Sequence, residues 1–102
     1  MAAIAYSVIA TLPDQSTARE YTAWLEDGHV DEVIKHGAHS AMIVRLTDPP
    51  TPIQVETRYI FANRQVFDRY ISHAAPGLRA EGLRRFPPER GITFERRVGK
   101  VV

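Results

Sequence analysis

The sequence predicts an α+β domain in which a four-stranded antiparallel sheet carries two helices on one face. Three observations predict it. Four segments alternate apolar and polar residues as strands do, two others repeat apolar residues at helical spacing, and they follow in the order βαββαβ. The chain has 102 residues, of which 44% are hydrophobic and 25% charged, enough for a single domain over residues 1–102 with a modest core.

The first strand is expected over Ala3 to Thr11, with Ile4, Tyr6, Val8 and Ala10 on one side. Pro13 and Asp14 end it, and Asp14 or Ser16 supplies an N-cap for a helix carrying Ala18, Tyr21, Trp24 and Leu25 at three- and four-residue spacing. Past Gly28 the apolar residues Val30, Val33 and Ile34 fall on a different side of a continuous helical wheel, which predicts a break there. Gly37 closes the segment, as a helix-ending glycine does.

Alternation returns from Ala38 to Thr47, giving the second strand. Asp48-Pro49-Pro50-Thr51-Pro52 cannot donate a regular ladder and makes a stiff hairpin loop. The third strand puts Ile53, Val55, Thr57, Tyr59 and Phe61 on one face. Asn63 caps a second helix carrying Val66, Phe67, Tyr70, Ile71 and Ala74, which Pro76-Gly77 interrupts. A last helical stretch with Leu78, Leu83 and Phe86 stops at Pro87-Pro88, and a fourth strand follows from Ile92 to Val98.

With right-handed crossovers this order is the ferredoxin-like split βαβ arrangement. The helices are expected to cover Tyr6, Val8, Met42, Val44, Leu46, Val55, Tyr59, Phe61, Phe94 and Val98. The other face would mix Ile9, Ala41, Ile43 and Ile60 with His39, Arg45, Gln54, Glu56, Arg58, Glu95 and Arg97. A half-apolar sheet of this kind calls for a cover, and the expected cover is a second copy of the chain.

Net charge is +1, too small to argue for nucleic acid or a membrane surface. Residues 1–50 hold three basic and seven acidic side chains and residues 51–102 hold ten and five, so the halves carry −4 and +5. An acidic first helix lying against a basic second one is the expected reason, with Arg79, Arg84, Arg85 and Arg90 on a solvated face; the alternative is a basic patch for an anionic ligand, in which these arginines touch phosphate. No apolar run reaches membrane-spanning length and no basic leader precedes the first strand, so a cytoplasmic location is expected. With no cysteine, disulfides, thiolate nucleophiles and cysteine metal sites are excluded. No nucleophile elbow, phosphate loop, dinucleotide fingerprint or HExxH stretch occurs.

Trp24-Leu25-Glu26-Asp27-Gly28-His29-Val30-Asp31-Glu32-Val33, then Gly37, Phe67-Asp68-Arg69-Tyr70, Ala74-Ala75-Pro76-Gly77-Leu78-Arg79 and Phe86, resemble a family of short bacterial proteins of unknown function within the dimeric α/β-barrel superfamily. The resemblance runs over nearly the whole chain. It implies a homodimer in which two ferredoxin-like sheets meet face to face. That superfamily includes cofactor-independent monooxygenases, small lactone isomerases and stress-related proteins without assigned chemistry. The resemblance carries the fold more safely than any activity and supplies no catalytic residue.

His29 is the candidate catalytic residue, because it sits where the helical stripe changes direction and a near-neutral imidazole suits proton transfer. The structural alternative is a histidine that bonds a neighbouring carbonyl and fixes the helix break. Tyr6, Trp24 and Tyr59 are candidate ligand-binding residues lining an apolar pocket beside it; the alternative is ordinary core packing. His29, His36 and His39 invite a metal reading that the spacing of His36 and His39 across Gly37 does not decide. No Asp or Glu takes a fixed ligand position beside them, so surface histidines are expected and neither a metal nor another cofactor is. The same element order occurs in RNA-recognition modules, but Tyr59 and Phe61 share the face that the helices need, so no nucleic-acid partner is expected. Two functions remain: cofactor-independent oxygenation or isomerisation of a small cyclic or aromatic compound, and a non-catalytic binding or interaction protein whose homodimer is the functional unit.

Overall fold

The computed structural model describes residues 2–102. The elements are β1 (Ile4–Leu12), α1 (Gln15–Trp24), α2 (Val30–Lys35), β2 (Ala38–Leu46), β3 (Ile53–Phe61), α3 (Arg64–Arg69), α4 (Ala75–Arg85) and β4 (Thr93–Lys100). The strands form one antiparallel sheet in the order β2-β3-β1-β4, the ferredoxin-like arrangement expected. None of the helices is long and apolar enough to cross a membrane.

Both helical arms start on the caps that the sequence offers. Asp14 and Asn63 are extended and accept hydrogen bonds from the backbone N–H of Thr17 at 2.7 Å and of Val66 at 2.9 Å. Each arm contains a π turn, Leu25–His29 in the first, where the arm breaks, and Tyr70–Ala74 in the second, where it stays helical. In the first, Asp27 leaves helical geometry and Gly28 takes φ 129°, a conformation that side chains rarely tolerate, so the break falls where the apolar stripe shifts. In the second, Pro76 lies in the first turn of α4, where its missing N–H costs nothing, so the interruption expected at Pro76-Gly77 does not occur and the helix runs through both residues.

One strand departs from expectation. Ala38 pairs with Phe61 but Ser40 with Ile60, so a bulge at His39 inserts one extra residue. Side-chain parity reverses beyond it. Ala41, Ile43 and Arg45 stand opposite Tyr59, Thr57 and Val55 on the helix side, whereas Met42, Val44 and Leu46 stand opposite Arg58, Glu56 and Gln54 on the open face. The expected placement of Met42, Val44 and Leu46 under the helices is therefore corrected, as is that of Ala41, Ile43 and Arg45 on the open face. Small Ala38 and Ala41 sit beside Phe61 and Tyr59, whose rings fill the space between sheet and helices. Arg45 turns to the helix arm and donates to Gln15 Oε1 at 2.9 Å. On the open face Arg58 pairs with Glu56 at 3.1 Å, and Arg97 pairs with Glu95.

The core has two halves. Tyr6, Val33, Phe61, Phe67 and Tyr70 lead one, and Tyr21, Leu25, Val55, Phe86 and Ile92 lead the other. The two arms are tied at their far end by Arg90, which reaches Glu20 at 2.6 and 3.2 Å and lies 5.1 Å over the Phe86 ring. Glu20 also pairs with Arg85. An acidic side chain of the first arm thus does meet the basic second arm, and Arg90 is not on a solvated face.

Candidate functional site

A cavity of about 160 Å³ lies where the two halves of the core meet, bounded by the sheet, α1 with its π turn, and α4. All four residues singled out from the sequence line it. Tyr6 on β1 and Tyr59 on β3 are directly paired strand neighbours, and their rings stack at 6.0 Å. Trp24 ends α1 and His29 ends the π turn; their rings stack at 4.1 Å and 23°. Gly82 of α4 packs over this pair, and a Cβ there would make an ordinary contact with the Trp24 ring at 3.4 Å.

His29 and Trp24 form a wall with two sides. Both also line an outer groove that holds Asp27, Glu32, Glu81 and Arg84. Burial holds the His29 imidazole below its ordinary pKa, and the carboxylates of Glu81 and Glu32 oppose that effect. The ring is therefore neutral at pH 7 and able to accept a proton from one side while facing carboxylates on the other.

Periodicity did not bring forward the polar groups around the same cavity. Arg79 on α4 donates to the Tyr6 hydroxyl at 3.1 Å, so it is not simply a member of a solvated helix face. Arg96 on β4 also lines the cavity. Its alternation with Phe94 and Val98 carried the signal that would have found it. Thr57, opposite Val8 in the ladder, is 1% exposed, and its hydroxyl has no hydrogen-bond partner. Burial pushes the phenols of Tyr21 and Tyr70 up to about 12 and that of Tyr59 higher still, so all three stay neutral at physiological pH.

The arrangement can hold a planar apolar molecule among aromatic rings, offer it phenol, hydroxyl and guanidinium groups, and take a proton from it at His29. Among the described residues no three metal-ligating side chains converge.

Residues 3–101 match a family described as a domain of unknown function, DUF4286. No curated protein gives a sequence match. Solved structures share the fold over the full length of this chain. A dimeric ferredoxin-like protein from an uncultured marine organism is 14% identical, with 97% of its own chain covered and a TM-score of 0.76. SnoaB, a cofactor-independent oxygenase from Streptomyces nogalater, is 12% identical, with 95% covered and a TM-score of 0.69. A dabb family protein with a ferredoxin-like fold from Mesorhizobium loti is 17% identical, with 99% covered and a TM-score of 0.68.

Proposed function

This chain belongs to the DUF4286 family, and from that premise we propose that it is a homodimeric small-molecule protein performing cofactor-independent oxygenation or isomerisation of a small aromatic compound. The observation that carries this is the His29 ring stacked on Trp24 in the wall of an aromatic cavity, where burial favours its uncharged form. The similarity of fold to a cofactor-independent oxygenase supports it.

Both reactions begin with loss of a proton from an acidic carbon or phenol of the substrate. His29 is the acceptor. Isomerisation returns the proton at another carbon, whereas oxygenation takes dioxygen as a second substrate, one oxygen becoming a carbonyl at a substrate CH2 and the other leaving as water with its two hydrogens. Tyr6, Trp24 and Tyr59 bind and orient the ring. The outer groove gives the His29 proton a route to solvent past Glu32 and Glu81.

The dimer forms through the open sheet face. Ile9, Met42, Val44, Leu46 and Ile60 lie there in one layer, with Met42 58% exposed, and an apolar sheet face of this kind favours covering. The paired charges Glu56–Arg58 and Glu95–Arg97 can enter an interface without leaving an unpartnered ion.

Solvent-deuterium incorporation tests the chemistry. Enolisable compounds are incubated in D2O with the protein and with His29→Gln, and exchange at the acidic carbon is followed by NMR, while oxygen uptake is followed for enolisable and phenolic compounds alike. Exchange with the native protein and its loss in the variant are expected. Equal exchange by both removes His29 from the mechanism; binding without exchange or oxygen uptake leaves a non-catalytic binding protein.

A further inference from the structure

We propose that the cavity takes an anionic ligand, a single-ring hydroxybenzoate whose carboxylate is held by Arg79 and Arg96 and whose ring hydroxyl meets Thr57. This rests on the cavity being the small-molecule site argued above.

Size sets the first limit. The space is about 160 Å³, and an apolar cavity of roughly 150 Å³ admits one benzene ring. One ring with short substituents fits, and a fused polycycle does not.

Charge sets the second. Arg79 and Arg96 come from different elements, α4 and β4, yet line the same cavity, and no Asp or Glu lines it with them. Five other arginines, Arg58, Arg64, Arg85, Arg90 and Arg97, have carboxylate partners. Among the described residues neither Arg79 nor Arg96 has one: Arg79 donates to a neutral phenol, and Arg96 rests 5.6 Å over the Phe94 ring. Two guanidiniums facing an aromatic cavity that supplies no counter-charge suit a carboxylate, which accepts charge-assisted bonds from both.

The unpartnered hydroxyl sets the third. Thr57 is fully enclosed at the sheet, and leaving its hydroxyl without a partner is unfavourable. The Tyr21 phenol lies close enough to Thr57 to be favoured by its hydroxyl, but no hydrogen bond of ordinary length joins the two. The two arginines, by contrast, are exposed. A ligand matching both ends is polar at its outer end and carries one further hydrogen-bonding group at its inner end.

Trp24 is the sole tryptophan, so its emission reports occupancy. Para-hydroxybenzoate, benzoate and the uncharged para-hydroxybenzamide are titrated into the native protein, Arg79→Gln, Arg96→Gln and Thr57→Val, each checked for native circular dichroism. Para-hydroxybenzoate should bind roughly tenfold tighter than its amide, as expected for bonds to a charged group. Either arginine variant should lose most of that preference while keeping its affinity for the amide. Arg79→Lys, which keeps the charge, should restore part of it. Thr57→Val should bring para-hydroxybenzoate down to the affinity of benzoate. Equal affinity for acid and amide, or no change in the arginine variants, overturns the anion proposal and leaves the cavity as a neutral site. Failure of all three probes to alter Trp24 emission overturns both.

Discussion

The imidazole of His29 lies face to face with the indole of Trp24, with 4.1 Å between ring centroids, although they stand five positions apart along a helical arm. In an α-helix such residues point to different sides. At the break between α1 and α2, Asp27 and Gly28 leave helical geometry, and the re-aimed chain brings the two rings onto the same side.

Acid should destabilise the protein through His29. Burial lowers its folded pKa below the ordinary 6.5, so the unfolded chain takes up the proton first. The stabilisation is complete above pH 6.5, declines as pH falls from there toward the lowered value, and changes no further below it. Thermal unfolding compared between about pH 7.5 and about pH 5.5 should show a drop that His29→Gln reduces. Trp24 emission should follow the same protonation, with a midpoint below 6.5 that disappears in the variant.

Gly28 is required by the backbone. At φ 129° it meets nothing within 4 Å, so an added methyl group has room but no comfortable conformation. Gly28→Ala should cost about 1–3 kcal/mol, seen as a lower melting temperature together with altered Trp24 emission. Gly82→Ala, in α4 with an ordinary 3.4 Å contact to Trp24, should be neutral or stabilising by up to about 1 kcal/mol.

Thr57→Val should raise stability while weakening ligand binding. Removing an enclosed hydroxyl that lacks a partner recovers about 1 kcal/mol of desolvation cost. In a chain of this size that is about 4–8 °C in melting temperature. A lower melting temperature would mean that the hydroxyl is satisfied in solution.

The proposed interface is tested by charge. Light scattering should give twice the 11.5 kDa of one chain, and Met42→Glu or Val44→Lys should shift the protein to monomer with its far-ultraviolet circular dichroism retained. Persistence of the dimer in both variants would place the interface elsewhere.

Most of the architecture was legible because strand and helix periods differ and the punctuation was strong: Asp14, Asn63, Gly28, Gly37 and the prolines all fall where the chain changes direction. Tyr6, Trp24, His29 and Tyr59 could be brought to one place because β1 and β3 face the first helical arm. The parity of β2 was hidden. Ala38, Ser40, Met42, Val44 and Leu46 form an unbroken alternating series, and nothing local marks His39 as the bulged residue; the partner strand decides it. Arg79 and Arg96 were obscured for a different reason, since a charge among apolar neighbours looks like solvent exposure until a cavity is seen beneath it.

The extra residue at His39 separates two properties that usually change together. It rotates the remainder of β2 by half a turn without disturbing Tyr6, Thr57 or Tyr59 on the neighbouring strands. Without it, Met42, Val44 and Leu46 would turn toward the helices and Ala41 would leave the side of Tyr59. The interface proposed above would thereby depend on a single insertion, whereas the residues of the proposed ligand site lie on other elements of the chain.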